Sequence, residues 1–287
     1  MKKNTTLKRL VMTALAIMMI TLMIPASVFA ATKSKRIKSE KYYNADGKLQ
    51  SQSSYKYDKH GNIVKYVDKY LDYDYETQKS FWRTNTATYT RKYYANGAIK
   101  KSVTKYSDGD SYTSTYDSNG HIKKSVSKNK SNGKTVTRTT TYKVRSNGLI
   151  KSSTTKEGKK VISKTTYGSN GRMKKRVEYN DKGKVARTVT YSYKTSKGRT
   201  VQETQKASDG TKYVYKYKYD KKGRQTMWGY TDTYKDYNGK TQTYSYKETY
   251  KYKTNKDGTI NTEYIYDKDG KLKGRRVYTY TKKKYKY

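Results

Sequence analysis

The chain contains two histidines, the residues best suited to acid–base or metal chemistry. His60 and His121 each stand beside a glycine in a short polar segment. A general base or a metal site at either histidine would need cysteines or clustered carboxylates nearby, and the chain has no Cys. The sequence therefore favours solvated turn residues at both positions over a catalytic or metal-binding role.

The acidic residues do not form a recognisable site either. Asp108 and Asp110 are close together, and Asp46 and Asp269 occupy similar segments elsewhere, but the dense ligand spacing of a calcium loop is missing. Most carboxylates stand where a turn residue bonds to nearby backbone amides. The chain also lacks Gly-x-Ser-x-Gly, Walker and zincin patterns. We expect no enzyme activity, no catalytic residue, no cofactor and no bound metal.

Lysine and tyrosine alternate in a way that suits binding. Between residues 212 and 219 every second residue is Tyr, and mostly lysines fill the positions between. The chain carries 66 Lys+Arg against 23 Asp+Glu, a formal net charge of +43. Such a charge attracts polyanions. Alternatively, the lysines only form the wet face of a sheet and protect its edges from aggregation. The excess of one sign favours an anionic partner, since mixed charges would serve solubility equally well.

The composition predicts strands rather than helices or disorder. High charge with few Leu, Ile, Val and Phe is normally a sign of disorder. Here 36 tyrosines supply large rings whose hydroxyls can remain in water. Tyr and Thr are strand formers, and the period-two alternation indicates strands with one wet face. We expect an all-β chain with a thin aromatic core.

Residues 1–30 have the pattern of a secretory signal peptide. Four basic residues precede an apolar run from Leu10 to Ile24, and Val28-Phe29-Ala30 offers small residues at a cleavage site. The run is shorter than the roughly 20 residues that a bilayer requires. We therefore predict residues 31–287 as a single secreted domain with no transmembrane segment after cleavage. An exported chain without Cys favours a Gram-positive bacterium.

One phrase recurs along the mature chain: Tyr, Asp or Asn, two polar residues, Gly, one further residue and an aliphatic residue. The Asp or Asn side chain accepts a backbone hydrogen bond, and the glycine supplies the left-handed conformation that closes a type I turn with a bulge. The residues predicted to form these turns are Asp58, Gly61, Asp117, Gly120, Asn180, Gly183, Asp220, Gly223, Asp267 and Gly270.

A second class of turn alternates with the first, so that one repeat unit has two strands and two turns. Asn-Gly and Asp-Gly favour two-residue hairpins, since both central residues need positive φ. The stretch 68–82 has no glycine and predicts a long hairpin. The second class comprises Asp108-Gly109, Asn132-Gly133, Glu157-Gly158, Asp209-Gly210 and Asn238-Gly239.

At residues 57–63, 116–122 and 266–272 the chain resembles the YD-repeat, or rearrangement-hotspot (RHS), family. The resemblance implies a continuous antiparallel sheet that spirals into a shell or strip, in secreted, cell-surface and toxin-delivery proteins. Longer members look like shells around a toxin, closed by a Pro-containing motif. The only proline of this chain is Pro25, in the predicted signal peptide, so the mature chain lacks that closing motif. We therefore expect an antiparallel meander of β-hairpins that forms a curved or spiral, β-solenoid-like strip. The sequence leaves open whether that sheet closes.

Two functions fit these expectations. The first is a wall-associated or secreted binding or structural protein, held by anionic wall polymers or an anionic membrane surface. The second is a secreted adhesin or effector fragment that recognises glycans or other cells, related to RHS-type toxin-delivery proteins. Nucleic acid is an unlikely partner in vivo because a signal peptide directs the chain out of the cell. Salt should release the first kind of protein, and a competing sugar the second.

Overall fold

A computed structural model describes residues 34–131 and 133–285. The predicted signal peptide at residues 1–30 lies outside the described residues. Every strand that the structure describes belongs to one antiparallel sheet of 18 strands. In chain order these are β1 (Ser34–Asn44), β2 (Leu49–Tyr57), β3 (Ile63–Asp74), β4 (Lys79–Tyr93), β5 (Ile99–Tyr106), β6 (Ser111–Tyr116), β7 (Ile122–Ser131), β8 (Lys134–Val144), β9 (Ile150–Glu157), β10 (Lys160–Tyr167), β11 (Met173–Tyr179), β12 (Val185–Ser196), β13 (Arg199–Ala207), β14 (Lys212–Tyr219), β15 (Gln225–Lys235), β16 (Thr241–Thr254), β17 (Ile260–Tyr266) and β18 (Leu272–Tyr285).

Asp58 and Gly61 show how the recurring turn is built. The Asp58 amide donates to the Asn62 carbonyl, and the Gly61 amide donates to the Asp58 carbonyl. The Asp58 carboxylate accepts from the amides of His60 and Asn62, each at 2.9 Å. Gly61 has φ +82°, which only glycine adopts readily. The same pair of backbone bonds closes the turns at Asp117–Gly120, Asn180–Gly183, Asp220–Gly223 and Asp267–Gly270.

The second class of turn differs from the sequence prediction. Gly109, Gly210 and Gly239 each donate to a carbonyl three residues earlier, as Gly61 does, so these turns belong to the first class. A two-residue hairpin does occur at Gly158, between the paired residues Glu157 and Lys160. Another, which the prediction missed, contains Lys197 at φ 49°. Asn132 lies outside the described residues. The prediction was wrong because Asp-Gly and Asn-Gly are also acceptable at the third and fourth positions of the longer turn.

The expectation of an open strip or spiral, like a β-solenoid, is wrong because the sheet closes into a barrel. β18 pairs with β1 in antiparallel fashion over most of their length, with Ser39 opposite Thr279 and Glu40 opposite Tyr278. The hydroxyls of Ser39 and Thr279 are 2.8 Å apart. Neighbouring strands in a sheet are rotated relative to one another, and over the described strands this rotation accumulates until the last strand meets the first. The sequence pattern is local and does not reveal this accumulated rotation.

The two faces of the sheet are chemically different. The tyrosine face is the one that carries Tyr215 and its cross-strand partner Tyr230, and the lysine face is the opposite one, which carries Lys216. Tyr246 continues the tyrosine face on β16. This alternation follows from the period of two residues in a strand. The glycine-free stretch forms the long hairpin β3–β4, in which each strand exceeds ten residues.

Two observations place the tyrosine face inside the barrel. Side chains on a concave face are crowded, and all the buried side chains of the described residues lie on the tyrosine face except Thr204 and Thr262. The strand registers agree. A path can be traced from a residue of β1 to its paired residue on β2, and so on from strand to strand around the sheet. When this path returns to β1, it arrives about 20 residues further along the strand, an offset typical of a tilted barrel. With right-handed strand twist and the observed hydrogen-bond directions, this offset puts the tyrosine face inside and the lysine face outside.

Replacing Gly120 by Val should destabilise the barrel locally. Gly120 has φ +82°, and nothing lies within 4 Å of an added Cβ, so the penalty comes from backbone conformation alone. We expect a cost of about 1–3 kcal/mol in the free energy of unfolding and faster amide exchange in β6 and β7, with β14 unaffected. Ser118→Val in the same turn is the control, because Ser118 does not have a positive φ. Equal effects of the two changes would contradict the assignment.

Candidate binding faces of the barrel

The ten predicted turn residues do not converge on one site. Turns after even-numbered strands form one rim, where Asp58, Asp117 and Asp220 lie with their glycines. Turns after odd-numbered strands form the opposite rim, where Asn180 and Asp267 lie. Their role in the structure is to close hairpins. The hydrogen bond from the His121 amide has the largest effect among the interactions that lower the pKa of the Asp117 carboxyl group.

The histidines are equally separate. His121 Nδ1 is 3.3 Å from the carboxylate of Asp117 in its own turn. His60 lies in the β2–β3 turn, with its ring centroid 6.5 Å from that of Tyr93. Within the described ranges, no group of three or more His, Cys, Asp or Glu side chains could hold a metal ion. No helix in the same ranges is long and apolar enough to cross a membrane.

Carboxylates and lysines are separated across the barrel wall. Every Asp or Glu on a described strand lies on the inner, tyrosine face, as their cross-strand partners show. At least five of them form ion pairs with basic side chains: Asp72, Glu157, Glu178, Glu248 and Glu263. The inner carboxylates are Glu40, Asp68, Asp72, Asp74, Glu157, Glu178, Glu203, Asp232, Glu248 and Glu263. The lysine face therefore has no strand carboxylate to neutralise it.

The lysines of the outer face extend around the whole barrel. A shallow depression of about 450 Å³ on β13 and β14 gathers Lys206, Lys212 and Lys216 around the hydroxyl of Thr204. Other outward lysines contact outward rings, as where the Lys251 ammonium lies 5.2 Å from the Tyr266 ring centroid. The outward lysines include Lys41, Lys56, Lys65, Lys69, Lys92, Lys101, Lys105, Lys124, Lys128, Lys143, Lys156, Lys164, Lys175, Lys194, Lys218, Lys247 and Lys253.

Ion pairs and tyrosine hydroxyls stabilise the carboxylates of the inner face. Glu248 accepts from the Lys273 ammonium at 2.7 Å and from the Tyr250 hydroxyl at 3.0 Å. Burial raises the pKa of Glu248, but its hydrogen bonds outweigh this effect and lower the pKa overall. The hydrogen bond from Lys273 contributes most to the lowering. Arg276 donates to Glu263 in the same way. The pKa of Glu40 is raised, chiefly because burial removes water from the carboxyl group.

Aromatic rings form a continuous wall on the inner face of β14, β15 and β16. The Trp228 ring lies 5.5 Å from the rings of both Tyr230 and Tyr246, measured between centroids. The Tyr230 ring is 6.3 Å from Tyr215 and 5.8 Å from Tyr244. Offset and tilted rings at these distances attract one another. The wall places aromatic rings on the side of the sheet that faces the interior of the barrel.

Sequence reasoning missed both the inward carboxylates and the wall's position inside a barrel. The first had a readable signal on only some strands: Asp232 and Glu248 stand at an even spacing from the tyrosines of their own strands, whereas Glu178 and Glu263 do not. The second had none, because it depends on closure and on which face becomes concave.

Comparisons with protein-family models and with curated proteins gave no match. Among solved structures, a porin-like protein from Bacteroides uniformis is similar over 88% of this chain and 99% of its own, at 15% identity and a TM-score of 0.48. A porin-like protein from Bacteroides vulgatus is similar over 87% and 100%, at 12% identity and a TM-score of 0.44. The TcdB2-TccC3 structure without its hypervariable C-terminal region matches 83% of this chain and 15% of its own, at 12% identity and a TM-score of 0.29. Similarities of this strength carry no functional argument.

Proposed function

We propose that this chain is an exported, non-enzymatic barrel whose lysine face binds anionic polymers or anionic surfaces of the cell envelope. The separation of charge across the wall supports the proposal. Because the strand carboxylates face inward, the outward lysines attract anions without local competition. The attraction is distributed over many strands, and the depression around Lys206, Lys212 and Lys216 is one place where an anionic group is drawn by three ammonium groups.

The outer face argues against hydrocarbon as its surroundings. Membrane-spanning barrels carry an outward apolar band about 25 Å tall. Here Lys216 points outward from the middle of β14, opposite Gln202 on one side and Gly229 on the other. An outward lysine at the bilayer midplane costs about 2–4 kcal/mol, and lysines recur on many strands. The proposed location is therefore outside the cell, in water or against an anionic wall or lipid head-group surface.

The repeated turns support a second part of the proposal, a relationship to the YD-repeat family. The support comes from turn geometry, since Asp58, Asp117 and Asp267 bond to the backbone of their own turns in the same way. The alternative function, a glycan-recognising adhesin or effector, places binding on rings instead of lysines. The response to salt separates these two functions.

Binding to anionic surfaces should weaken steeply with salt. Exposed charges interact over a Debye length of about 8 Å at physiological ionic strength. We expect the mature protein to sediment with phosphatidylglycerol vesicles and with isolated teichoic-acid-bearing walls at about 0.05 M salt, and to be released at about 0.5 M. Phosphatidylcholine vesicles are the control and should not bind it. Binding that persists at high salt, or that a neutral sugar competes at constant salt, would refute the proposal in favour of glycan recognition.

A further inference from the structure

Asp232 has unusual surroundings for a carboxylate. It lies on the inner face of β15, directly opposite Tyr213 on β14 and Tyr244 on β16. In its own strand, Tyr230 and Tyr234 stand two residues away on the same face. Four tyrosines therefore surround one carboxylate.

No positive side chain compensates Asp232 in the described structure. Its Oδ1 atom is buried and accepts no hydrogen bond from any described residue. Burial raises the pKa of Asp232, and no ion pair opposes that effect. By contrast, the inner carboxylate Glu157 bonds to Arg138 at 3.0 Å. The positive charge of Arg187 affects the pKa of the neighbouring Tyr213, but Arg187 forms its ion pair with Asp209, with 2.8 Å between Nε and Oδ2.

A ligand with an organic ammonium group would satisfy both features of this site. A poorly solvated carboxylate without a partner is unfavourable, and a cation relieves it. The faces of tyrosine rings also attract cations, and quaternary ammonium groups are bound by aromatic rings in this way. A sugar hydroxyl would supply a hydrogen bond but no charge, and a hard metal ion needs several oxygen ligands.

We propose that Asp232 and its four tyrosines form a binding site for a quaternary ammonium group. Solvent reaches the tyrosines around the buried Oδ1 atom, because Tyr244 is 52% exposed and Tyr234 is 41% exposed. It lies near one rim, four residues before the turn that begins at Asp236, so a ligand reaches it through that mouth of the barrel. The inference is independent of the proposed function, which concerns the outer face.

Tryptophan fluorescence tests the proposal. Trp82 lies on the outer face of β4, opposite Leu71, so the full chain with Trp82→Phe keeps Trp228 as its only tryptophan. Trp228 is in ring contact with Tyr230 beside the site. We expect choline to change its fluorescence, with an affinity at least about tenfold higher than that of 3,3-dimethylbutan-1-ol, the uncharged analogue of the same shape. Equal affinity of the two compounds, or no binding of choline, would overturn the proposal.

Two variants locate the effect. Asp232→Asn should weaken choline binding at least about tenfold and leave binding of the uncharged analogue unchanged. Glu157→Gln removes the same charge from the inner face and should leave choline binding unchanged. An unchanged affinity for choline in Asp232→Asn would show that no cation site exists there. Since the comparison of choline with its analogue uses the Asp232 protein, the test does not depend on the folding of the variants.

Discussion

Reversing three outward lysines should abolish most binding to anionic vesicles. Lys124, Lys156 and Lys175 are exposed and lie on the lysine face of β7, β9 and β11. Each lysine near an anionic surface contributes about 1 kcal/mol. Losing three such contributions costs about 3 kcal/mol, and 1.4 kcal/mol corresponds to a factor of ten. Changing all three to Glu should therefore lower the affinity for phosphatidylglycerol vesicles at least about 100-fold. Vesicle sedimentation at low salt measures this directly.

The chain offers a matched control for that experiment. Lys123, Lys151 and Lys174 are also exposed and lie on the same three strands. Each stands two residues before a residue of the inner face, Ser125, Ser153 or Arg176, so the strand period predicts that they point inward. Changing these three to Glu alters the net charge by the same amount. We expect less than about a threefold loss of affinity, since the wall and its counter-ions separate these charges from the vesicle. Equal losses for the two triple variants would mean that net charge and not the lysine face drives binding.

Cross-linking the two ends of the sheet should give the largest gain in stability. Ser39 on β1 and Thr279 on β18 face each other with hydroxyls 2.8 Å apart. With both changed to Cys in a chain that has no other Cys, we expect an intramolecular disulfide on oxidation. Closing a loop of this length restricts the unfolded chain and should add about 5 kcal/mol to the free energy of unfolding. Denaturant titration with and without reductant measures the difference.

A second pair of cysteines provides the control for closure. Thr190 on β12 faces outward like Ser39, but β12 is not a neighbour of β1 in the sheet. Ser39→Cys combined with Thr190→Cys should form no intramolecular disulfide in the folded protein. An open strip would leave Ser39→Cys and Thr279→Cys unlinked as well, and that result would contradict the barrel.

The local structure could be predicted because its causes are local. An Asp or Asn followed three residues later by Gly closes a turn wherever it occurs, and Asp117 and Gly120 show the hydrogen bond and the positive φ that the spacing implies. The alternation of Tyr with Lys or Thr likewise separates two faces on each strand. The mistake over Gly109, Gly210 and Gly239 arose where two turn types accept the same dipeptide.

The features that carry function depend on the whole sheet. The pairing of Glu40 with Tyr278 joins residues at opposite ends of the chain, and no spacing in the sequence indicates it. Closure then decides that the aromatic wall faces inward and that the lysines face outward. The isolation of Asp232 is equally non-local, since it depends on which side chains β14 and β16 place beside β15.

The seam between β1 and β18 also has a consequence for how the protein assembles. Every other neighbouring pair of described strands forms between segments adjacent in the chain, whereas β1 must wait for residues near position 280. Pairing at such a separation is slow, so the growing sheet has an exposed edge until its last strand arrives. Exposed edges of two copies would normally join. The lysines that attract an anionic partner to the finished barrel also keep unfinished sheets apart.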